Sequence, residues 1–313
     1  AMERFSDLAR IPDRARGASV AIGNFDGVHL GHQAVLDLAR KAEGPLAVMT
    51  FEPHPRTYFA ELKGVDLPAF RLMGPEAKAS RLAKLGVDFI YEIPFDAHLA
   101  ALSPEDFVEE TLHQGLGASH VVVGADFCFG AKRAGNAQAL KGLCAARGIE
   151  VTIAPMVSST SAYVSSTNIR EALAEGRPRD AHAMLGHWHR LEGPVIHGDA
   201  RGRDLGYPTA NMALGDLHHP AYGVYAVLVD VLDGPHAGSY HGASSIGVRP
   251  MFGENAANCE TYLFDFKGDL YGATLSVGLV EYLRGEEKFD GLDALIAQMG
   301  RDVARAHGIL AAL

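Results

Sequence analysis

The hydrophobic periodicity of the chain changes near residue 186, and this change limits the possible folds more than any other feature. Before it, short apolar runs at 19–22, 46–51, 88–93, 119–123 and 150–154 alternate with helical patterns near 32–43, 75–85, 104–114 and 136–147. Such alternation predicts a mostly parallel sheet with helices on both faces. Two short helical stretches, 169–175 and 178–185, end at Gly176 and Gly186. Beyond them, 222–231, 259–266 and 273–283 alternate with period two between Gly-rich turns, and a last helical pattern covers 291–307. That half predicts a small β-barrel closed by a terminal helix. The expected domains are 1–186 and 187–313, and 313 residues are enough for two cores.

A net charge of −10 makes nucleic acid a poor partner, although a small phosphorylated ligand needs only a local site. The three cysteines, Cys128, Cys144 and Cys259, show no C-x-x-C spacing, which predicts neither a disulfide framework nor a zinc knuckle. Charged residues at Glu3, Arg4, Asp7 and Arg10 predict no signal peptide, and no apolar run reaches the ~20 residues of a membrane helix. The expectation is a cytoplasmic protein, a monomer or weak homo-oligomer, bound to neither membrane nor nucleic acid.

The chemistry is expected where strands end, since ligands of parallel sheets sit outside the carboxyl ends of strands. After the run at 19–22, Gly23 and Gly27 mark a turn, and helical spacing resumes at about His32. A helix start beyond a strand tip aims unpaired N–H groups and a positive dipole end at a phosphate. His29 and His32 flank Gly31 and share one helical face if both lie in the first turn. The alternatives are a zinc pair, which wants four ligands where no Cys or third His lies nearby, or two solvated histidines.

Three further strand ends carry polar or aromatic residues. The second runs into Phe51-Glu52-Pro53-His54-Pro55-Arg56, where two prolines stiffen a loop. The fourth runs into Gly124-Ala125-Asp126-Phe127-Cys128-Phe129-Gly130. A flat aromatic ligand would explain its phenylalanines, and so would a loop tucked onto the core. After the fifth come Ser165-Ser166-Thr167-Asn168-Ile169-Arg170, where Ser166 or Thr167 is suited to cap the next helix. Arg170 then falls in a first turn, where a cation is disfavoured unless it faces an anion.

The segment Gly23-Asn24-Phe25-Asp26-Gly27-Val28-His29-Leu30-Gly31-His32-Gln33 resembles the H-x-G-H motif of nucleotidylyltransferases, in the form found in bacterial FAD synthetases. The other three stretches resemble that family's T-F-E-P-H-P, V-G-x-D-F-x-F-G and S-S-T-x-I-R segments, in the same order. The resemblance implies a Rossmann-like nucleotidylyltransferase domain in which His29, His32, Ser166, Thr167 and Arg170 hold ATP phosphates. It implies that Gly23, Asn24, Phe25, Asp26, Gly27 and Gly31 shape the nucleotide pocket. Pro53, His54, Pro55, Asp126 and Phe129 would face the flavin. Cys128 departs from a position that is often basic in the family.

In the second half, Gly198, Gly202 and Gly206 recur every four residues, which permits close main-chain approach to a polyphosphate. The alternative is a flexible surface loop. Pro208 stiffens its end, and Thr209 and Asn211 follow as hard oxygen ligands suited to Mg²⁺. Period two puts Glu260 on one strand face with Tyr262, Phe264 and Phe266, where a carboxylate is costly unless it has a partner or a job. The bland alternative is an edge-strand glutamate reaching solvent. The run through Arg201 and Gly202 to Asn211 resembles the G-R-x-L-G-x-P-T-A-N motif of riboflavin kinases, and 245–250 and 264–272 resemble that family too. The resemblance implies that Gly198, Arg201, Gly202, Gly206, Pro208, Thr209 and Asn211 bind ATP. It also places the catalytic carboxylate at Glu260. Met251 stands where the family suggests Thr.

Together the two resemblances imply a bifunctional flavin-forming enzyme. ATP would phosphorylate riboflavin to FMN in the second half, with Mg²⁺ on Thr209 and Asn211 and release of ADP. A second ATP would adenylylate FMN to FAD in the first half, with release of pyrophosphate. Rival readings are a nucleotidylyltransferase acting on another phosphate, a tRNA-charging enzyme, and a flavin-binding regulator without catalysis. The second domain, the acidic balance with no K-M-S-K-S-like run, and the intact His29, His32, Thr209, Asn211 and Glu260 weigh against them in turn.

Overall fold

The computed structural model describes residues 1–158, 163–198, 205–248 and 256–313. They form two compact units, one of residues 1–67 with 75–165, the other of 68–74 with 166–313.

The first unit is built on strands β1 (Glu3–Phe5), β2 (Ser19–Ile22), β3 (Leu46–Glu52), β4 (Phe89–Pro94) and β5 (His120–Gly124). A small ribbon of β6 (Cys128–Phe129) and β7 (Gly135–Asn136) precedes the last strand, β8 (Glu150–Ala154). The helices are α1 (Leu30–Arg40), α2 (Pro55–Lys63), α3 (Pro75–Lys84), α4 (Ala97–Ala101), α5 (Pro104–Asp106) and α6 (Ala137–Ala145). From α5 the chain continues as a π-wound helix over Phe107–Gly115. The sheet is parallel, in the order β1-β4-β3-β2-β5-β8. The chain therefore leaves β2 toward β3 and β4, then returns to place β5 on the other side of β2. The order reverses at β2, and the turn after β2 lies at the switch point where such sheets bind ligands.

Burial explains why this half was readable. All four residues of β2 are buried, as are the first six of β3. A strand covered on both faces reads as an unbroken apolar run. Ser103 caps α5, its Oγ accepting from Asp106 N at 3.1 Å. Across the start of the sheet, the Ser19 hydroxyl meets His120 Nδ1 at 2.9 Å, and His120 Nε2 meets Thr152 at 2.7 Å. This buried network joins β2, β5 and β8.

The second unit holds α7 (Ser166–Ala174), α8 (Pro178–Leu185), β9 (Arg190–Pro194), β10 (Ala210–Ala213) and β11 (Gly223–Val231). Then come β12 (Gly238–Val248), β13 (Ala257–Leu263), β14 (Thr274–Arg284) and α9 (Leu292–Ala311). The strands form an antiparallel sheet in the order β10-β13-β12-β11-β14-β9. Ile196 N donates to Asn211 O at 2.8 Å, so the sheet curls into a nearly closed barrel. Its interior is filled by Leu191, Tyr225, Val227, Ile246, Cys259, Val277 and their neighbours. Outside, Ala306 and Leu310 of α9 cover Val224, Ala226, Val280 and Leu283. Arg284 fastens the helix by pairing with Asp302 at 2.9 Å.

The periodicity breaks near 186, but compactness divides the chain after Ser165. The reason is packing: Gly176 abuts the Tyr282 ring, and Arg179 pairs with Glu281, so α7 and α8 group with the barrel. The expected strand at 259–266 stops at Leu263. Asp265 turns left-handed at φ 55°, so Phe266 leaves the Glu260 face and packs with the barrel-interior cluster.

Candidate active sites

In the first unit, His29 is the N-cap of α1. Its Nδ1 accepts from His32 N at 3.3 Å, and His32 Nδ1 accepts from His29 N at 3.1 Å. This is a capping box made of two imidazoles in place of a hydroxyl and a carboxylate. The rings stack 3.6 Å apart at 13°. Because both Nδ1 atoms accept, each neutral ring carries its proton on Nε2. The cap thus stacks two imidazoles, each with its proton on Nε2, at a helix N-terminus beyond the end of β2.

Gly31 is a steric requirement of this pair. A Cβ there would lie 2.8 Å from His29 Cε1 and 3.0 Å from its Nδ1. The H-x-G-H spacing therefore lets one ring fold back over the helix start. Burial pushes the His32 pKa well down, helped by His29 and then Lys78, which keeps the ring neutral and its Nδ1 able to accept. The turn before the cap is left-handed at Phe25 (φ 53°), Gly27 (φ 91°) and Val28 (φ 46°). The Phe25 ring lies 4.9 Å from that of His32. Asp26 is buried in the same turn.

The second strand end is also organised by a histidine. His54 caps α2 by accepting from Arg56 N at 3.1 Å, Pro55 is the first helical residue, and Glu52–Pro53 is cis. In the loop after β5, Asp126 and Cys128 are exposed, and Phe127 is half-buried. Phe129 is buried against Phe107, with ring centroids 5.4 Å apart, and it stacks on Phe127. For Phe129 the loop tucked onto the core therefore accounts for the aromatic residue without a ligand.

Ser166 and Thr167 lie inside the first turn of α7 and not at its cap position, and Arg170 falls just beyond that turn. Arg170 Nε donates to Phe70 O at 2.6 Å, and its guanidinium lies over the Phe70 ring. The dipole argument for an anion at Arg170 is weakened, because the helix starts one or two residues earlier than a cap at Ser166 or Thr167 would place it. All three residues group with the second unit.

In the barrel, Asn211 of β10 pairs in register with Glu260 of β13, which pairs on its other side with Ser245 of β12. Their side chains share one face, and Thr209 precedes Asn211 at strand period. Glu260 thus stands on a central strand, which removes the edge-strand explanation. Asn211 is 4% exposed, and its Oδ1 accepts from Asn258 Nδ2 at 3.2 Å. Gly198 closes over it, since a Cβ at 198 would lie 2.1 Å from Asn211 Nδ2. Gly206 is left-handed at φ 88°, and Pro208 is exposed beside it. Arg201, Gly202 and Met251 lie outside the described residues. The Tyr271 ring stacks 3.7 Å from that of His197, next to Gly198. Tyr271 also lines an open cleft of about 400 Å³ with Asp233, His236 and Leu270.

Sequence reasoning missed Lys78. It is 2% exposed on α3, yet Nζ reaches Thr50 Oγ1 at 2.9 Å, Glu52 Oε1 at 3.1 Å and Asn24 O at 3.2 Å. The available signal was a lysine four residues before the buried Leu82, on the inner face of its helix. Asn258, two residues before Glu260, was missed for want of any motif around it.

The family model for FAD synthetase matches residues 11–168, and that for riboflavin kinase matches 185–310. A bifunctional riboflavin kinase/FMN adenylyltransferase from Listeria monocytogenes is 38% identical over 94% of this chain and 93% of its own. The chain belongs to the bifunctional riboflavin kinase/FMN adenylyltransferase family. The namesake from Escherichia coli K12 is 39% identical, over 96% of this chain and 95% of its own. A solved structure described as a macrolide-efflux protein from Streptococcus pneumoniae also matches, with TM-score 0.82 and 31% identity over 96% of this chain and 97% of that one. Among the described residues no helix is long and apolar enough to cross a membrane. The two flavin-forming activities divide by domain: FMN adenylylation belongs to the parallel-sheet half, and riboflavin phosphorylation to the barrel half.

Proposed function

We propose that the paired imidazoles of α1 carry adenylyl transfer, and that the barrel face bearing Thr209, Asn211 and Glu260 carries the kinase step. The observation that most supports the first is the reciprocal cap, which commits both Nδ1 atoms and fixes the proton of each stacked ring on Nε2. A phosphate oxygen of FMN attacks the α-phosphorus of ATP while the bond to the β-phosphate oxygen breaks. FMN is already anionic, so no base is needed. The two N–H groups and the helix dipole stabilise charge on the reacting phosphates and on the departing pyrophosphate. The assignment of Ser166, Thr167 and Arg170 to ATP phosphates, and of His54 and Asp126 to the flavin, rests on their sequence motifs.

In the kinase half, Glu260 accepts the proton of the terminal ribityl hydroxyl, whose oxygen attacks the γ-phosphorus as ADP leaves. Positioning and charge stabilisation carry most of such a transfer. Thr209 and Asn211 fit a hard divalent cation. Both offer neutral oxygens, and Asn211 Oδ1 keeps a second lone pair beyond its bond from Asn258. When bound, Mg²⁺ would draw charge from the phosphate oxygens. None of Cys128, Cys144 and Cys259 is in a disulfide, and Cys128 is exposed.

The metal assignment is tested by titrating Mg²⁺ against FMN formation. Thr209→Val and Asn211→Ala are expected to raise the half-saturating Mg²⁺ concentration at least about tenfold, at one lost ligand interaction each. An unchanged Mg²⁺ dependence in both variants contradicts it.

A further inference from the structure

We propose that Lys78 is a positioning residue for adenylyl transfer: its buried ammonium pins the carbonyl of Asn24 and so holds the turn that sets the two imidazoles. This rests on the reading of His29 and His32 as phosphate donors. An ammonium removed from water is costly unless its N–H groups are satisfied. Lys78 meets three acceptors within 3.2 Å, on the tips of two strands. Asn24 O follows β2, and Thr50 and Glu52 end β3. The Thr50 hydroxyl also donates to Asn24 O at 3.2 Å, so this one carbonyl receives two clamps.

What the clamp holds is a turn that would not keep its shape alone. Val28 is β-branched at φ 46° and Phe25 sits at φ 53°. Such conformations are strained for side chains of this kind and persist only where the surroundings fix them. At its far end the turn is held by Gln33 Nε2, which donates to Val28 O at 3.0 Å. Between the two anchors lies Phe25, whose ring packs on His32. With its ammonium committed to protein oxygens, Lys78 acts on the reaction through the turn and not as a phosphate ligand.

The test compares Lys78→Met, Thr50→Val and His32→Ala with the unaltered full chain. It measures kcat and KM for FMN in FAD formation, with riboflavin phosphorylation in the same preparation as the internal control. Displacement of a catalytic group by about 1 Å costs about 10²-fold. Lys78→Met is expected to lower kcat for FAD formation about 10- to 100-fold, with KM for FMN and the kinase activity unchanged. Thr50→Val, nearly isosteric, is expected to lower the same kcat by a smaller factor. If Lys78→Met fails to fold, Thr50→Val carries the test alone. Wild-type kcat in every folded variant of Lys78 and Thr50, with His32→Ala inactive, overturns the role of Lys78. Retained FAD formation in His32→Ala instead overturns the reading on which it rests.

Discussion

Gly31→Ala separates stability from catalysis within one residue. The new Cβ would stand 2.8 Å from His29 Cε1, a non-bonded separation that van der Waals repulsion does not allow to persist, so the ring must retreat by several tenths of an ångström. The cap bond from His32 N is already 3.3 Å long and would be lost. Losing an N-cap costs about 1 kcal/mol, while alanine in place of a helical glycine returns about 0.5–1 kcal/mol. The two nearly cancel, so the melting temperature is expected to move by no more than about 4 °C. Catalysis has no such offset. One of two preorganised donors is displaced, and FAD formation from FMN is expected to fall about 10²- to 10³-fold. The assay is chromatographic separation of FAD from FMN under saturating ATP, alongside a thermal melt. FAD formation within threefold of the parent would refute the claim that the glycine exists to seat the His29 ring.

Gly198→Ala is the matching probe of the barrel. Its Cβ would fall 2.1 Å from Asn211 Nδ2, and FMN formation is expected to drop about 10²-fold with FAD formation from added FMN unchanged. His189 gives a prediction in pH. It is 3% exposed, and burial, then His218 and His187, hold its pKa at about 3, against about 6.5 in an unfolded chain. Between those values the unfolded chain binds a proton that the folded one does not. Stability is therefore complete above about pH 6.5 and falls toward pH 3 by up to about 1.4 kcal/mol per unit. Urea unfolding followed by fluorescence of Trp188, the sole tryptophan, should show this slope, and His189→Leu should flatten it.

Much of this architecture was legible because burial wrote it into the sequence. The strands β2, β3 and β5 sit where apolar runs predicted them, and the motif histidines fall at the switch point of the sheet. Strands β9, β10 and β12 were not foreseen. β12 is rich in glycine and serine, and a Cβ at Gly242 would lie 2.6 Å from Tyr262 O, so close strand packing had removed the apolar signal. β9 carries Gly193 and Pro194, residues that argue against a strand when read locally. Period two carried Phe266 to the wrong face because a left-handed Asp265 has no mark in sequence. Lys78 was hidden for a different reason, since a lysine on a helix is read as solvated until three distant oxygens are seen around it.

The central claim is that one chain carries two independent sites, and product chromatography of two variants tests it most directly. With ATP, Mg²⁺ and riboflavin, His32→Ala is expected to accumulate FMN at close to the parental rate and make almost no FAD. Glu260→Ala is expected to leave riboflavin unconverted, yet to turn added FMN into FAD normally. If either substitution lowered both activities in parallel while the chain stayed folded, the assignment of separate sites would be contradicted.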